Sequence, residues 1–130
     1  MDSSNKESVI RSIKRLMAIE DNDELRAALP ELAESMEGYA DFAPGWHLLG
    51  QLYLRLGEQG EAFSHFWKAV KLAPKNDVFA RDCGYAGYNS KRYEDLIKIC
   101  EPLMRLQPQN HHLRFVFGME PLHVTAFERI

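Results

Sequence analysis

Trp46, Leu49, Gly50 and Tyr53 fall at i, i+3, i+4 and i+7, which puts all four on one face of a helix. An indole, a bare backbone and a phenol in a row demand a second helix shaped to fit them. The sequence supplies one: Phe63, Phe66, Trp67 and Val70 make the next segment apolar over a broad face, and Ala62 is small enough to sit opposite Gly50. Gly57 and Gly60 bracket a short turn between the two segments. Pro74 stops the second helix. The constraint is therefore a helical hairpin with a prescribed seam.

The pattern repeats. Adding 34 to Gly50 and Pro74 gives Gly84 and Pro108, and Cys83, Leu96, Cys100 and Leu103 supply small or apolar residues at matching places. Trp46-x2-Leu49-Gly50-x2-Tyr53, followed by Ala62-x3-Phe66, Ala69 and Pro74, resembles the tetratricopeptide repeat, with every signature position filled across residues 43–76. The second unit, 77–110, departs from it at Ala80 for Trp46 and at Gly87 for Tyr53, and carries Pro102 inside its second helix, where a bend is expected. Residues 6–38 read as a degenerate copy. Val9, Ile10, Ile13, Leu16 and Met17 form one apolar face, and Asp21, Asn22 and Asp23 form a capping cluster. A helix over 24–37 follows, bent or split at Pro30 and ended by Gly38. Residues 111–120 predict a last helix with Leu113 and Phe117 inward, before Pro121 redirects the chain. The expectation is an all-α fold over 1–130, one domain of about three helical hairpins plus a C-terminal helix. The resemblance implies a right-handed solenoid, stabilised as one cooperative stack.

Composition narrows the function. With 130 residues, 45% of them hydrophobic, the chain can bury a core and is not a disordered tail. A net charge of -3 argues against a nucleic-acid binder. Two cysteines make no disulfide framework, no apolar run approaches the roughly 20 residues of a membrane span, and the polar N-terminus reads as no secretory signal. A cytoplasmic location without membrane contact is expected.

In the family this chain resembles, the first helix of each hairpin lines a concave face where peptides bind. The repeat carries that face from unit to unit: Ile13, Met17 and Glu20; His47, Gln51 and Leu54; Arg81, Tyr85 and Tyr88; Phe115, Met119 and Leu122. Tyrosine, methionine and arginine are enriched at protein interfaces. The expected partner-binding residues are His47, Gln51, Leu54, Arg81, Tyr85, Tyr88, Phe115 and Met119, unless the segment 122–130 folds back over them. The carboxylate clamp of heat-shock co-chaperones is not matched: its positions read His47, Gln51, Asp82, His112 and Val116, and Asp82 would repel an acidic tail.

Other chemistry is not legible. His111 and His112 are adjacent and point about 100° apart on a helix, a poor metal pair. Cys83 and Cys100 occupy packing positions and are expected as buried, reduced thiols. Lys6, Arg11, Lys14 and Arg15 are offset by neighbouring acids and read as a solvated face. No glycine-rich phosphate loop and no nucleophile–base arrangement stands out, so no enzyme, cofactor or metal is expected. The resulting expectation is an adaptor or chaperone that binds a protein or peptide segment, similar in size and architecture to type III secretion chaperones. A structural subunit of a larger assembly, like the tetratricopeptide parts of cytochrome c maturation factors, is the alternative. Self-association or hetero-assembly fits either reading.

Overall fold

A computed structural model describes residues 3–111, together with 114 and 118. Its helices are α1 (Ser3–Met17), α2 (Asn22–Met36), α3 (Ala43–Arg55), α4 (Gln59–Leu72), α5 (Asp77–Asn89) and α6 (Tyr93–Leu106), with a 3-10 turn at Glu37–Tyr39. No strand occurs among the described residues. The helices pair as α1–α2, α3–α4 and α5–α6, and α4 also packs on α5. This is a tetratricopeptide-like helical stack. The expected seventh helix, 111–120, falls almost wholly outside the described residues.

Local chemistry sets the ends. The Asp21 carboxylate accepts from the amides of Asp23 (2.8 Å) and Glu24 (3.1 Å), and so caps α2. Asn76 does the same for α5 through the Phe79 amide at 3.0 Å. Pro44 opens α3, where its missing N–H costs nothing. α3 ends on Gly57 at φ 78°. There the Gly57 amide donates to the Leu54 carbonyl and the Glu58 amide to the Tyr53 carbonyl, both at 3.0 Å. α5 ends identically, but with Lys91 at φ 61°. Lys91 and Arg92 donate to the Tyr88 and Gly87 carbonyls at 3.0 and 2.9 Å. Both internal prolines are absorbed: α2 runs through Pro30 without splitting, and α6 through Pro102.

One core runs through the stack. Ile13, Leu25, Leu29, Met36, Leu49, Phe66, Val70, Leu96 and Ile97 are its largest fully buried side chains. Trp46 is 6% exposed and its indole N–H donates to the Ala40 carbonyl at 3.0 Å. The ring of Phe66 lies over Gly50, where an added Cβ would come within 2.5 Å of it. Cys83 and Cys100 are free and buried, and burial raises both thiol pKa values, that of Cys100 to about 12. Neither is a thiolate at neutral pH, so neither is a ready nucleophile.

Candidate partner-binding face

The expected binding row has two different characters. On α3, His47 is buried, Gln51 half-buried, and Leu54 42% exposed. On α5, Arg81, Tyr85 and Tyr88 are all half-buried. Both tyrosines lean on the core, and the Tyr88 ring meets that of Tyr93 with centroids 5.6 Å apart. On α1, Met17 is 46% exposed but Ile13 is fully buried, and Glu20, beyond the helix end, is exposed. Phe115, Met119 and Leu122 lie outside the described residues.

Ile13 and His47 thus correct the expectation that each row is surface. Both begin their rows where the helix turns inward. His47 is held by specific partners: its ring sits 4.6 Å from that of Phe79 and 5.3 Å from that of Phe66. His47 Nε2–H donates to Asp82 Oδ2 at 2.7 Å, and Arg81 Nε donates to Asp82 Oδ1 at 3.0 Å. Burial alone would raise the Asp82 pKa, but these two hydrogen bonds and the adjacent positive charge outweigh it and hold the carboxyl below its ordinary value. Asp82 is therefore an ionised group already committed to its neighbours. Sequence reasoning treated His47 and Asp82 as separate surface positions. Their separation, one repeat plus one residue, was the available signal that they meet across consecutive hairpins.

Arg55 ties the same face to the α1–α2 hairpin. Its guanidinium donates to the carbonyls of Met17 (3.5 Å), Ile19 and Glu20 (3.1 Å), and to Asn22 Oδ1 at 3.3 Å. The C-terminal ends of α1 and α3 are thereby joined, which brings the exposed Met17 and Leu54 to the same end of the stack. The residues left accessible on these rows are apolar and aromatic, Met17, Leu54, Tyr85 and Tyr88, with the guanidinium groups of Arg55 and Arg81 among them. Such a surface can grip a peptide by burying side chains on the rings. Among the described residues, no cluster of His, Cys, Asp or Glu could hold a metal ion, and no helix is long and apolar enough to cross a membrane.

No protein-family model matches the chain. Over 70 residues it is 33% identical to the human protein O-mannosyl-transferase TMTC1, a match covering 54% of this chain and 8% of that protein.

Proposed function

We propose that the chain is a non-catalytic protein-binding module, an adaptor or chaperone that holds a segment of a partner protein against the first helices of its hairpins. The observation that carries this is the half-buried Tyr85–Tyr88 pair on α5, with the exposed Leu54 of α3 one repeat before Tyr88. Rings of this kind offer large contact area at small entropy cost, and Arg81 stands on the same helix to meet a carboxylate or stack on a ring. The match to a short stretch of a much longer protein fits a helical module used within different chains. The transferase activity in that protein's name is not carried over, because the match spans so little of it. Within the binding class, the acidic charge and the repeat architecture favour a cytoplasmic holder of aggregation-prone segments, in the manner of type III secretion chaperones.

The test starts with the natural partner, captured on the full chain from the native host and identified by mass spectrometry. Tyr85→Ala combined with Tyr88→Ala should weaken its binding by well over about tenfold, since central aromatic anchors each contribute on the order of 2 kcal/mol. Because both rings also touch the core, binding is compared at a temperature where circular dichroism finds the variant folded. Normal binding by the folded double variant would remove this face from consideration.

A further inference from the structure

We propose that α4 and the N-terminal half of α6 carry a second docking site, for an acidic peptide segment with an aromatic or aliphatic anchor. The site uses different helices from the α3–α5 face and stands or falls independently of it. It is a cavity of about 290 Å3. Phe63, Trp67 and Ile99 form its apolar wall, the first and last of them buried and Trp67 half-buried. Lys68, Lys71, Arg92 and Lys98 are exposed around it, with Asp95 as the lone carboxylate. Asp95 is already engaged, accepting from Arg92 Nε at 3.3 Å. Among the described residues, no carboxylate pairs with Lys68, Lys71 or Lys98. A chain of net charge -3 thus gathers an excess of positive charge in one cleft.

Rings, and not acids, lie under Lys68 and Lys71, and Arg92 has a ring as well as Asp95. Lys68 Nζ lies 4.3 Å from the centroid of Trp46, Lys71 Nζ lies 5.3 Å from that of Trp67, and the Arg92 guanidinium lies 5.2 Å from that of Phe63. The ammonium groups of Lys68 and Lys71 remain available to an anion. Lys68 and Lys71 also border a second hollow of about 540 Å3 that is walled by Trp46 and Leu72 and has Glu37 on its far rim. A lysine ridge therefore separates two apolar depressions. An extended segment suits this relief, because alternate side chains point to opposite sides. An apolar side chain would enter beside Trp67, while flanking carboxylates meet the lysines. A single phosphate suits it less: the cations surround an apolar wall, and the Ser64 hydroxyl is committed to the Gly60 carbonyl at 3.2 Å. Nor does the repeat itself require the cleft. One unit on from Trp67, Lys68 and Lys71 stand Glu101, Pro102 and Arg105.

The probe is a fluorescein-labelled peptide that alternates glutamate with leucine and phenylalanine, added to the full chain and followed by anisotropy. Saturable binding is expected, weakened about tenfold or more by Lys71→Glu with Lys98→Glu, and weakened by added salt. A second variant, Lys71→Gln with Lys98→Gln, adds no acid to the fold and should show a smaller loss in the same direction; melting curves check that both variants are folded. A peptide with lysine for glutamate should not bind, and inorganic phosphate at matched ionic strength should not compete. Failure of the acidic peptide to bind, or equal binding by the wild-type chain and both variants, would overturn the proposal. So would equal affinity for a peptide with serine in place of every apolar residue, which means simple ion exchange. A single-stranded oligonucleotide that binds more tightly than the peptide and suffers the same losses would overturn it in favour of nucleic acid.

Discussion

The hairpins α3–α4 and α5–α6 are built to one geometry from different residues. In the first, Tyr53 is large and Ala62, one repeat before Leu96, is small. In the second, the corresponding residues are Gly87 and Leu96, and the sizes are exchanged. Leu96 packs directly on Gly87, where an added Cβ would come within 2.7 Å of Leu96 and of Phe63. Trp46 becomes Ala80, His65 becomes Ile99, and Gly57 becomes Lys91, yet both turns close with the same pair of hydrogen bonds. The repeat preserves the volume of the seam and the path of the backbone, and lets side-chain identity vary around them.

The largest expected effect lies at the indole that only the first hairpin has. Trp46→Ala should cost about 3–5 kcal/mol in urea unfolding, through the cavity left and the lost bond to Ala40. A neutral result would mean that the first hairpin is no more dependent on its signature residue than the second. Next comes the exchanged pair. Gly87→Ala should destabilise by about 1–3 kcal/mol, because the new methyl meets buried side chains. Combining it with Leu96→Ala should cost less than the two changes added together, by about 0.5 kcal/mol or more. Strict additivity would show that the size exchange is coincidental.

The turns should respond in opposite senses. Gly57→Ala places a Cβ at φ 78° and should lose about 1 kcal/mol, whereas Lys91→Gly relieves the residue at φ 61° and should gain several tenths. Equal and negative effects at both sites would end the comparison of the two caps. The smallest effect is a pH dependence confined to the first hairpin. His65 is buried between Trp46 and Tyr53, with ring centroids 6.0 and 4.8 Å away, and its Nδ1–H donates to the Glu61 carbonyl at 2.7 Å. Burial lowers its pKa, aided by Lys68, and prevails over the opposing influence of Glu61. The folded state therefore prefers neutral imidazole. Its stabilising contribution is complete above the unfolded value of 6.5 and is lost as pH falls below it. The melting temperature should drop between pH 7.5 and 5.5, and His65→Ile, which copies Ile99, should flatten that drop. Asp82 does not blur the window, since its depressed pKa defers its own loss to pH below 3.8.

Much of this architecture was legible in the residues. The spacing of Trp46, Leu49, Gly50 and Tyr53 located the first seam, and the offset of one repeat located the second, because helix periodicity and close packing leave few alternatives. Gly87 looked like a missing tyrosine, since its compensation by Leu96 depends on which residues face each other across the hairpin. Lys91 gave no signal, because its left-handed backbone is imposed by the turn and not by its side chain. At the candidate face, periodicity grouped His47, Gln51 and Leu54 with Arg81, Tyr85 and Tyr88, but could not tell which rows begin inside the stack. Ile13 and His47 do, because the next hairpin or helix covers them. The lysine cleft escaped notice for a related reason: Lys68, Lys71, Arg92 and Lys98 are dispersed in the chain and converge only when α6 is set beside α4.

The bond between His47 and Asp82 crosses from one hairpin to the next, so neither unit is self-sufficient. A hairpin transplanted in place of α5–α6 would fit the backbone path, but it would leave His47 buried without its partner, at a cost of about 1–3 kcal/mol, whereas exchange of α3–α4 would leave Asp82 with Arg81 alone. The joint between these hairpins is therefore keyed. Its units are not interchangeable cassettes, and lengthening or shuffling the array would require His47 and Asp82 to be moved together as a matched lock.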